Sequence, residues 1–361
     1  MYTPDKLLSI IIPTYNMEQY LRYCLDSLLI KENFEALDVL VINDGSKDSS
    51  SIIAHEYANR YPTVFQVIDK KNGNYGSCIN RGLKEAKGKY IKVLDADDSF
   101  DTKTLDEFLE FLKNANTDLI ISDFEIVNKE RLHQRTIHYD FPIKKNTPFI
   151  EICNNPDFAG AIQMHAITYR RDLLISMSYR QSEGISYTDQ QWIFTPMIGV
   201  KSVAYFKKSV YKYLIGRVGQ TMDPKVKLRS MEHSRKNSLG LILDYETHKN
   251  DITNPKIKSY LYSRLAWYIK DIYIFYITHF NKSNAEVLRI YDKKIQEMSP
   301  EIYDMIGSKK VSSILGFPYI DYWRKHNTSI ILLNIIARTY RIILIIKSKI
   351  NTHKDRLAIG N

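Results

Sequence analysis

Cysteine is scarce: Cys24, Cys78 and Cys153 are the three in 361 residues, with no CxxC pair and no Cys/His cluster. That scarcity argues against a disulfide framework and a structural zinc site, and a reducing, cytosolic compartment is expected. Glycine (14) and proline (11) are too few for a collagen-like or low-complexity chain. The first apolar run, Leu7 to Ile12, ends at Pro13 and is too short for a signal-peptide core, so export is not expected. No GxGxxG follows that run, which removes the dinucleotide fingerprint of a dehydrogenase.

Hydrophobic residues make up 44% and charged residues 25%, ordinary globular usage for one large domain or two modest ones. The net charge of +10 is uneven: residues 1–124 hold 14 basic and 20 acidic side chains, and residues 125–361 hold 37 and 21. A basic surface is therefore expected in the later part, suited to anionic lipid, phosphate-bearing substrates or nucleic acid.

The first third alternates β-rich apolar runs with helical patterns. Leu8 to Pro13, Asp38 to Asn43, Phe65 to Asp69, Tyr90 to Leu94 and Leu119 to Asp123 read as strands, with helices near 18–30, 49–61, 77–87 and 104–114. Such spacing suits βαβ crossovers, so a mainly parallel α/β sheet with helices on both faces is expected. In such sheets ligands bind beyond the carboxyl ends of the strands. From about residue 228 the pattern turns helical. Ile330 to Ile346 is apolar except for a stripe that includes Asn334, Arg338 and Arg341, an amphipathic pattern expected to lie on a membrane surface rather than cross it. Core packing or pairing of two copies would also use that face.

Three strand ends carry ligand-type residues. The first runs into Pro13, Thr14, Tyr15 and Asn16, where an aromatic ring able to stack on a base stands beside a hydroxyl and an amide. The second ends in Asn43-Asp44-Gly45-Ser46, with Asp44 placed to accept from a base N–H or ribose hydroxyls, and Ser46, Asp48 or Ser49 expected to cap the next helix. The fourth ends in Asp95-Ala96-Asp97-Asp98. In extended backbone residues two apart face the same way, so Asp95 and Asp97 are expected to pair and Asp98 to point elsewhere. Two carboxylates on one side call for a hard divalent cation, Mn²⁺ or Mg²⁺. A capping box from Thr104 to Glu107 is expected to start the next helix.

Taken together, IIPTYN (11–16), VINDGS (41–46), NGNYGSCINRG (72–82) and AKGKYIKVLDADD (86–98) resemble family 2 glycosyltransferases of the GT-A fold. The resemblance implies a bacterial surface-polysaccharide enzyme that inverts the anomeric carbon, with Thr14, Tyr15 and Asp44 holding the nucleoside of a UDP-sugar and Asp95 and Asp97 forming the metal-diphosphate motif. Pro13, Asn16, Asn74, Gly76, Asn80 and Ala96 are carried along as donor-site residues. Many relatives have Arg just before the position of Asn80; here it is Ile79. Arg81 or another base is then expected to meet the diphosphate.

An inverting transfer needs one base near the acceptor hydroxyl. Tyr187-Thr188-Asp189-Gln190-Gln191-Trp192 is similar to the family's acidic motif, with Asp189 as base and Trp192 as acceptor support. His165, in Met164 to Arg170, is expected on the acceptor wall or near the metal, and Arg217, opening the stretch to Thr221, near the diphosphate. The processive signature QxxRW is missing, which favours addition of a single sugar. The expected organisation is a catalytic domain over 1–225 (a nucleotide-sugar half 1–125 and an acceptor half 126–225) and a helical region over 226–361 with its basic helix near 330–350. The acceptor is expected to be a saccharide, lipid-linked at the inner face of the cell membrane; nucleic acid is not expected as a partner. The competing readings are a sugar-phosphate nucleotidyltransferase, which would expose a basic Gly-rich loop after the first strand, and a non-catalytic membrane- or nucleic-acid-binding protein.

Overall fold

The structure is a computed structural model that describes residues 6–139, 146–153, 155, 158, 162–186, 188–217, 224–279, 281–314, 316–326, 335, 339 and 342. Two compact units are present, Met1–Leu241 with His248–Leu261, and Ile242–Thr247 with Tyr262–Asn361. The division falls inside two continuous helices rather than at 225/226.

In the first unit β1 (Leu8–Thr14), β2 (Leu37–Asn43), β3 (Phe65–Asp69) and β4 (Tyr90–Val93) run parallel, with α1 (Glu18–Asp26), α2 (Ser50–Arg60) and α3 (Asn74–Glu85) between them. β5 (Ser99–Phe100), α4 (Thr102–Asn114), β6 (Leu119–Val127), β7 (His133–Ile137), β8 (Thr147–Pro148) and α5 (Phe149–Ile152) follow. Next come β9 (Ile167–Arg170), α6 (Arg171–Ser176), α7 (Asp189–Phe194) and β10 (Ser202–Leu214). The sheet order is β3-β2-β1-β4-β9-β6-β10-β5, with β7 on β6 and β8 on β10. β9 is antiparallel to both neighbours, so the sheet is mixed beyond its four parallel strands.

Leu8, Ile10, Ile11, Ile12 and all of β2 are buried, as expected of strands covered on both faces. Helix contact is close there: a Cβ on Gly82 of α3 would come within 2.5 Å of Ile11. α3 begins at Asn74 rather than near 77. The expected box at Thr104 and Glu107 is replaced by a different cap, because Asp101 is the N-cap and its Oδ1 accepts from the Thr104 N–H at 3.0 Å. Glu107 instead pairs with Lys208 at 2.5 Å. Ser49 is the N-cap of α2 but makes no side-chain cap bond; Asp48, one residue earlier, accepts from the Ser50 N–H at 3.0 Å.

Helices α8 (Pro224–His248) and α9 (Pro255–Thr278) run through the boundary between the units. The second unit continues with α10 (Lys282–Met298), α11 (Pro300–Gly307), the short pair β11 (Ser313–Ile314) and β12 (Phe317–Pro318), and α12 (Tyr319–His326). Asn281 and Ser299 cap α10 and α11 through their side chains. Tyr273, Tyr291 and Trp323 pack its core beside an Arg324–Asp292 pair at 2.8 Å. Among the described residues no helix is long and apolar enough to cross a membrane. The expected basic helix near 330–350 lies outside the described residues except for Ile335, Thr339 and Ile342.

Candidate active site

The carboxyl ends of β1, β2 and β4 lie side by side because these strands pair in register, Thr14 beside Asn43 and Ile11 beside Val93. The loop after β1 is tied to the loop after β2. Asn16, at φ +53°, accepts from the Lys47 N–H at 2.9 Å, and its own N–H donates to Ser46 Oγ at 3.0 Å. Asparagine tolerates this left-handed backbone better than most residues. Thr14 is buried, whereas Tyr15 is 45% exposed and open to a planar ligand.

Asp44 is buried and heavily held. Its N–H donates to Thr14 O at 2.8 Å, and its Oδ1 accepts from the Gly73 N–H at 2.9 Å and from the Lys70 ammonium. Lys70 stands one residue past the end of β3, a strand end like the other three, but an isolated lysine forms no motif in the sequence.

The fourth strand stops at Val93, and residues 95–98 form a turn closed by the Asp98 N–H to Asp95 O bond of 2.9 Å. Extended alternation therefore does not apply, and Asp98 does not point away. Its Oδ2 accepts from Tyr211 Oη at 2.5 Å and its Oδ1 from the Leu214 N–H at 2.7 Å. Tyr211 Oη also accepts from the Asp95 N–H at 3.2 Å, and Asp95 Oδ1 accepts from Tyr75 Oη at 2.8 Å. Asp97 pairs with Arg217 Nε. Burial first, then the charge of Asp97, pushes Asp95 above the usual carboxylate range; burial, then Asp97 and Asp95, does the same to Asp98. Ala96 is buried within the turn.

His165 belongs to this cluster rather than to an acceptor wall. It is 8% exposed, stacks on Tyr213 with centroids 4.3 Å apart, and meets Tyr211 edge-on at 4.8 Å. Asp95, Asp98 and His165 offer ligand atoms within 4.8 Å of one another. The His165 Nδ1 is buried without a hydrogen-bond partner. Burial, then the nearby Lys92, lowers the imidazole pKa to about 3. Two carboxylates fit a hard divalent cation of the Mn²⁺ or Mg²⁺ type, and a neutral imidazole with an uncommitted nitrogen beside them suits Mn²⁺ better than Mg²⁺. Lys92, fully buried on β4, donates to His165 O at 2.8 Å and Ile167 O at 3.2 Å, holding the backbone that carries the histidine. Burial lowers its own pKa to about 7.

Asp189 opens α7, half-buried, and its carboxylate lies near enough to raise the pKa values of Tyr75 and Asp95. Three other expectations change. Trp192 is 1% exposed and packs edge-on against Tyr169 and Tyr179 at 5.1 and 5.7 Å, so it is a core residue rather than acceptor support. Asn80 spends its amide on Gln181 and Glu183, clamping that loop rather than meeting a donor. Gly76 allows the same loop to approach: a Cβ there would lie 2.0 Å from Ser182 O. Asn74, at φ +66°, accepts from Ser186 Oγ at 3.4 Å. Arg81 pairs with Glu85 at 3.0 Å, leaving Arg217 as the base that meets the acidic turn among the described residues. Residues 218–223, after Arg217, lie outside the described residues.

Residues 9–174 match the model of Glycosyl transferase family 2. A 121-residue stretch is 40% identical to an uncharacterised glycosyltransferase of Mycoplasma pneumoniae, over 33% of this chain and 39% of that protein. Over 114 residues the chain is 38% identical to the minor teichoic acid biosynthesis protein GgaB of Bacillus subtilis, covering 31% of this chain and 13% of that one. The chain thus spans well under half the length of these two relatives. Among solved structures, S. aureus TarS 1–349 in complex with UDP-GlcNAc is similar with a TM-score of 0.66 at 18% identity, over 93% of this chain and 91% of that chain. That likeness is one of fold. The strand ends carrying Tyr15, Asp44 and Asp95 to Asp98 all lie inside the matched segment, while Asp189 and Arg217 lie beyond it. Over residues 9–174, just under half of its length, the chain is similar to glycosyl transferase family 2.

Proposed function

We propose that the protein is an inverting, metal-dependent glycosyltransferase that moves one hexose from a UDP-sugar to a saccharide acceptor, lipid-linked at the inner face of the membrane, during surface-polysaccharide synthesis. The observation that carries this reading is that Tyr15, Asp44 and the acidic turn at residues 95–98 follow the carboxyl ends of adjacent parallel strands, inside the segment that matches the family. A base and an acidic turn suited to a diphosphate-bound cation then flank the space where a donor sugar would sit.

Tyr15 stacks on the uracil ring and Asp44 accepts from the base. Asp95, with Asp97 or with Asp98 and His165, would hold Mn²⁺ or Mg²⁺, which would supply positive charge against the leaving diphosphate. Arg217 turns from Asp97 toward the phosphates. Asp189 takes the proton of the acceptor hydroxyl as that oxygen bonds to the anomeric carbon; the bond from that carbon to the diphosphate oxygen breaks, and UDP leaves. Residues 1–225 carry this chemistry. The later part, with 37 basic and 21 acidic side chains after residue 124, supplies the attraction to anionic lipid, and the relative named for minor teichoic acid biosynthesis supports a polymer of the cell surface as the destination.

Calorimetric binding of UDP with Mn²⁺, with Mg²⁺ and with EDTA, on wild type and Asp97→Ala, tests the donor half. Metal-dependent binding that falls in the variant is the expected result, followed by turnover in a panel of UDP-sugars with lipid-linked acceptors. Absence of UDP binding under every condition overturns the nucleotide assignment.

A further inference from the structure

The residues around Asp44 do more than place a carboxylate. Lys70 Nζ has three protons, and each has an acceptor: Asp44 Oδ1, Lys71 O at 2.8 Å and Ser77 Oγ at 2.8 Å. Ser77 can accept because its own hydroxyl proton goes to Asn74 O at 2.6 Å. The second donor to Asp44 Oδ1 is the Gly73 N–H. Gly73 makes room for the network, since a Cβ there would lie 2.7 Å from Ser77 Oγ and 3.3 Å from Lys70 Nζ. Asn72 Nδ2 fixes the Asp44 carbonyl at 3.0 Å. Among the described residues no N–H or O–H reaches Asp44 Oδ2; the neighbouring Cys78 thiol is only a weak donor, its pKa pushed up to about 12 by burial first and then by Asp44. One oxygen of the carboxylate is therefore committed, and rotating the group to offer both would break a charge-assisted bond and a backbone bond.

We propose that Lys70 determines base specificity by reducing Asp44 to a single acceptor. This rests on Asp44 being the base-reading residue. Uracil presents one ring N–H flanked by two carbonyl oxygens, so one acceptor oxygen satisfies it. Guanine presents a ring N–H beside an exocyclic amine, two donors that match both oxygens of a free carboxylate. Cytosine presents a ring nitrogen lone pair, which an ionised carboxylate repels. Specificity here comes from withholding an acceptor as much as from supplying one.

The test compares UDP, GDP and IDP in calorimetric titrations, or in competition against UDP, with wild type, Lys70→Met and Lys70→Arg. IDP differs from GDP by lacking the exocyclic amine, so the GDP/IDP affinity ratio counts whether a second acceptor oxygen is available. In wild type UDP binds best and GDP no better than IDP. In Lys70→Met the GDP/IDP ratio rises at least about tenfold, the size of one charge-assisted hydrogen bond, and the UDP preference narrows. Lys70→Arg keeps the wild-type ratio because a cation still occupies Oδ1. A wild type that already binds GDP about tenfold above IDP overturns the proposal, as does a folded Lys70→Met that gains nothing for GDP. Should thermal melting show Lys70→Met unfolded, Lys70→Leu, which also carries no donor, serves in its place, and the wild-type ratio stands on its own. The underlying assignment fails separately, if wild type binds no UDP or if Asp44→Asn leaves UDP affinity unchanged.

Discussion

Two acidic centres lie at the carboxyl edge of one sheet and are completed in opposite ways. Asp44 comes with its cation: Lys70 is paired to it and, with the Gly73 N–H, fills one carboxylate oxygen while the other stays open to a ligand. The turn at residues 95–98 gathers three carboxylates, two of them pushed upward in pKa, against the Arg217 guanidinium on Asp97. The first arrangement suits a neutral base read by shape and hydrogen bonds. The second stores repulsion that an incoming cation relieves.

Removing chemistry from the second centre has the largest expected effect. Asp189→Ala lowers kcat by about 10²- to 10⁴-fold while UDP affinity stays near wild type, and Asp97→Ala abolishes both transfer and metal-dependent UDP binding. Steady-state turnover paired with calorimetry separates the two. Normal turnover in either variant removes that residue from the mechanism.

Arg217→Ala sharpens the comparison by opposing signs. Freed of its guanidinium, Asp97 binds Mn²⁺ alone about tenfold more tightly, while UDP binds about tenfold more weakly for want of a cation on the phosphates. Titrating the metal and the nucleotide separately reads both; changes of the same sign contradict an exchange of partners.

The pH dependence follows from the raised carboxyls. With folded pKa values above the unfolded ones, their favourable contribution is present below about pH 4 and is lost as pH climbs through the raised values. Metal-free wild type therefore loses ground to Asp98→Asn in Tm as pH rises above about 4, and the rise in Tm on adding Mn²⁺ is larger at pH 8 than at pH 5. A metal-induced shift independent of pH contradicts the stored repulsion. The smallest expected effect lies between the centres: Gly82→Ala forces a Cβ against Ile11 and costs about 1–3 kcal/mol by denaturant melting, with UDP/GDP selectivity unchanged.

The strands and the three strand ends were legible because continuous apolar runs and their punctuation are local signals, and Asp44, Asp95 and Asp97 sit at those ends. What escaped was set by distant residues. Asp98 reads as pointing away until a turn replaces extended backbone, and the turn is held by Tyr211, more than a hundred positions later in a strand with no motif. Trp192 looks like a sugar platform in sequence, since nothing local says that Tyr169 and Tyr179 enclose it. Asn80, inside a family motif, is spent on Gln181 and Glu183, a long-range clamp no spacing rule reports.

The single hydroxyl of Tyr211 accepts from Asp95 at one end of the turn and donates to Asp98 at the other, while Tyr211 itself pairs with Phe100 immediately after it. The acidic tetrapeptide is thus a closed loop whose circumference is fixed by β10. Its spacing is not portable: transplanting Asp95 to Asp98 onto another sheet would carry the charges without the ruler that sets their separation. Lengthening the turn by one residue would have to be absorbed by the register of β10, which carries Tyr213 and leads to Arg217.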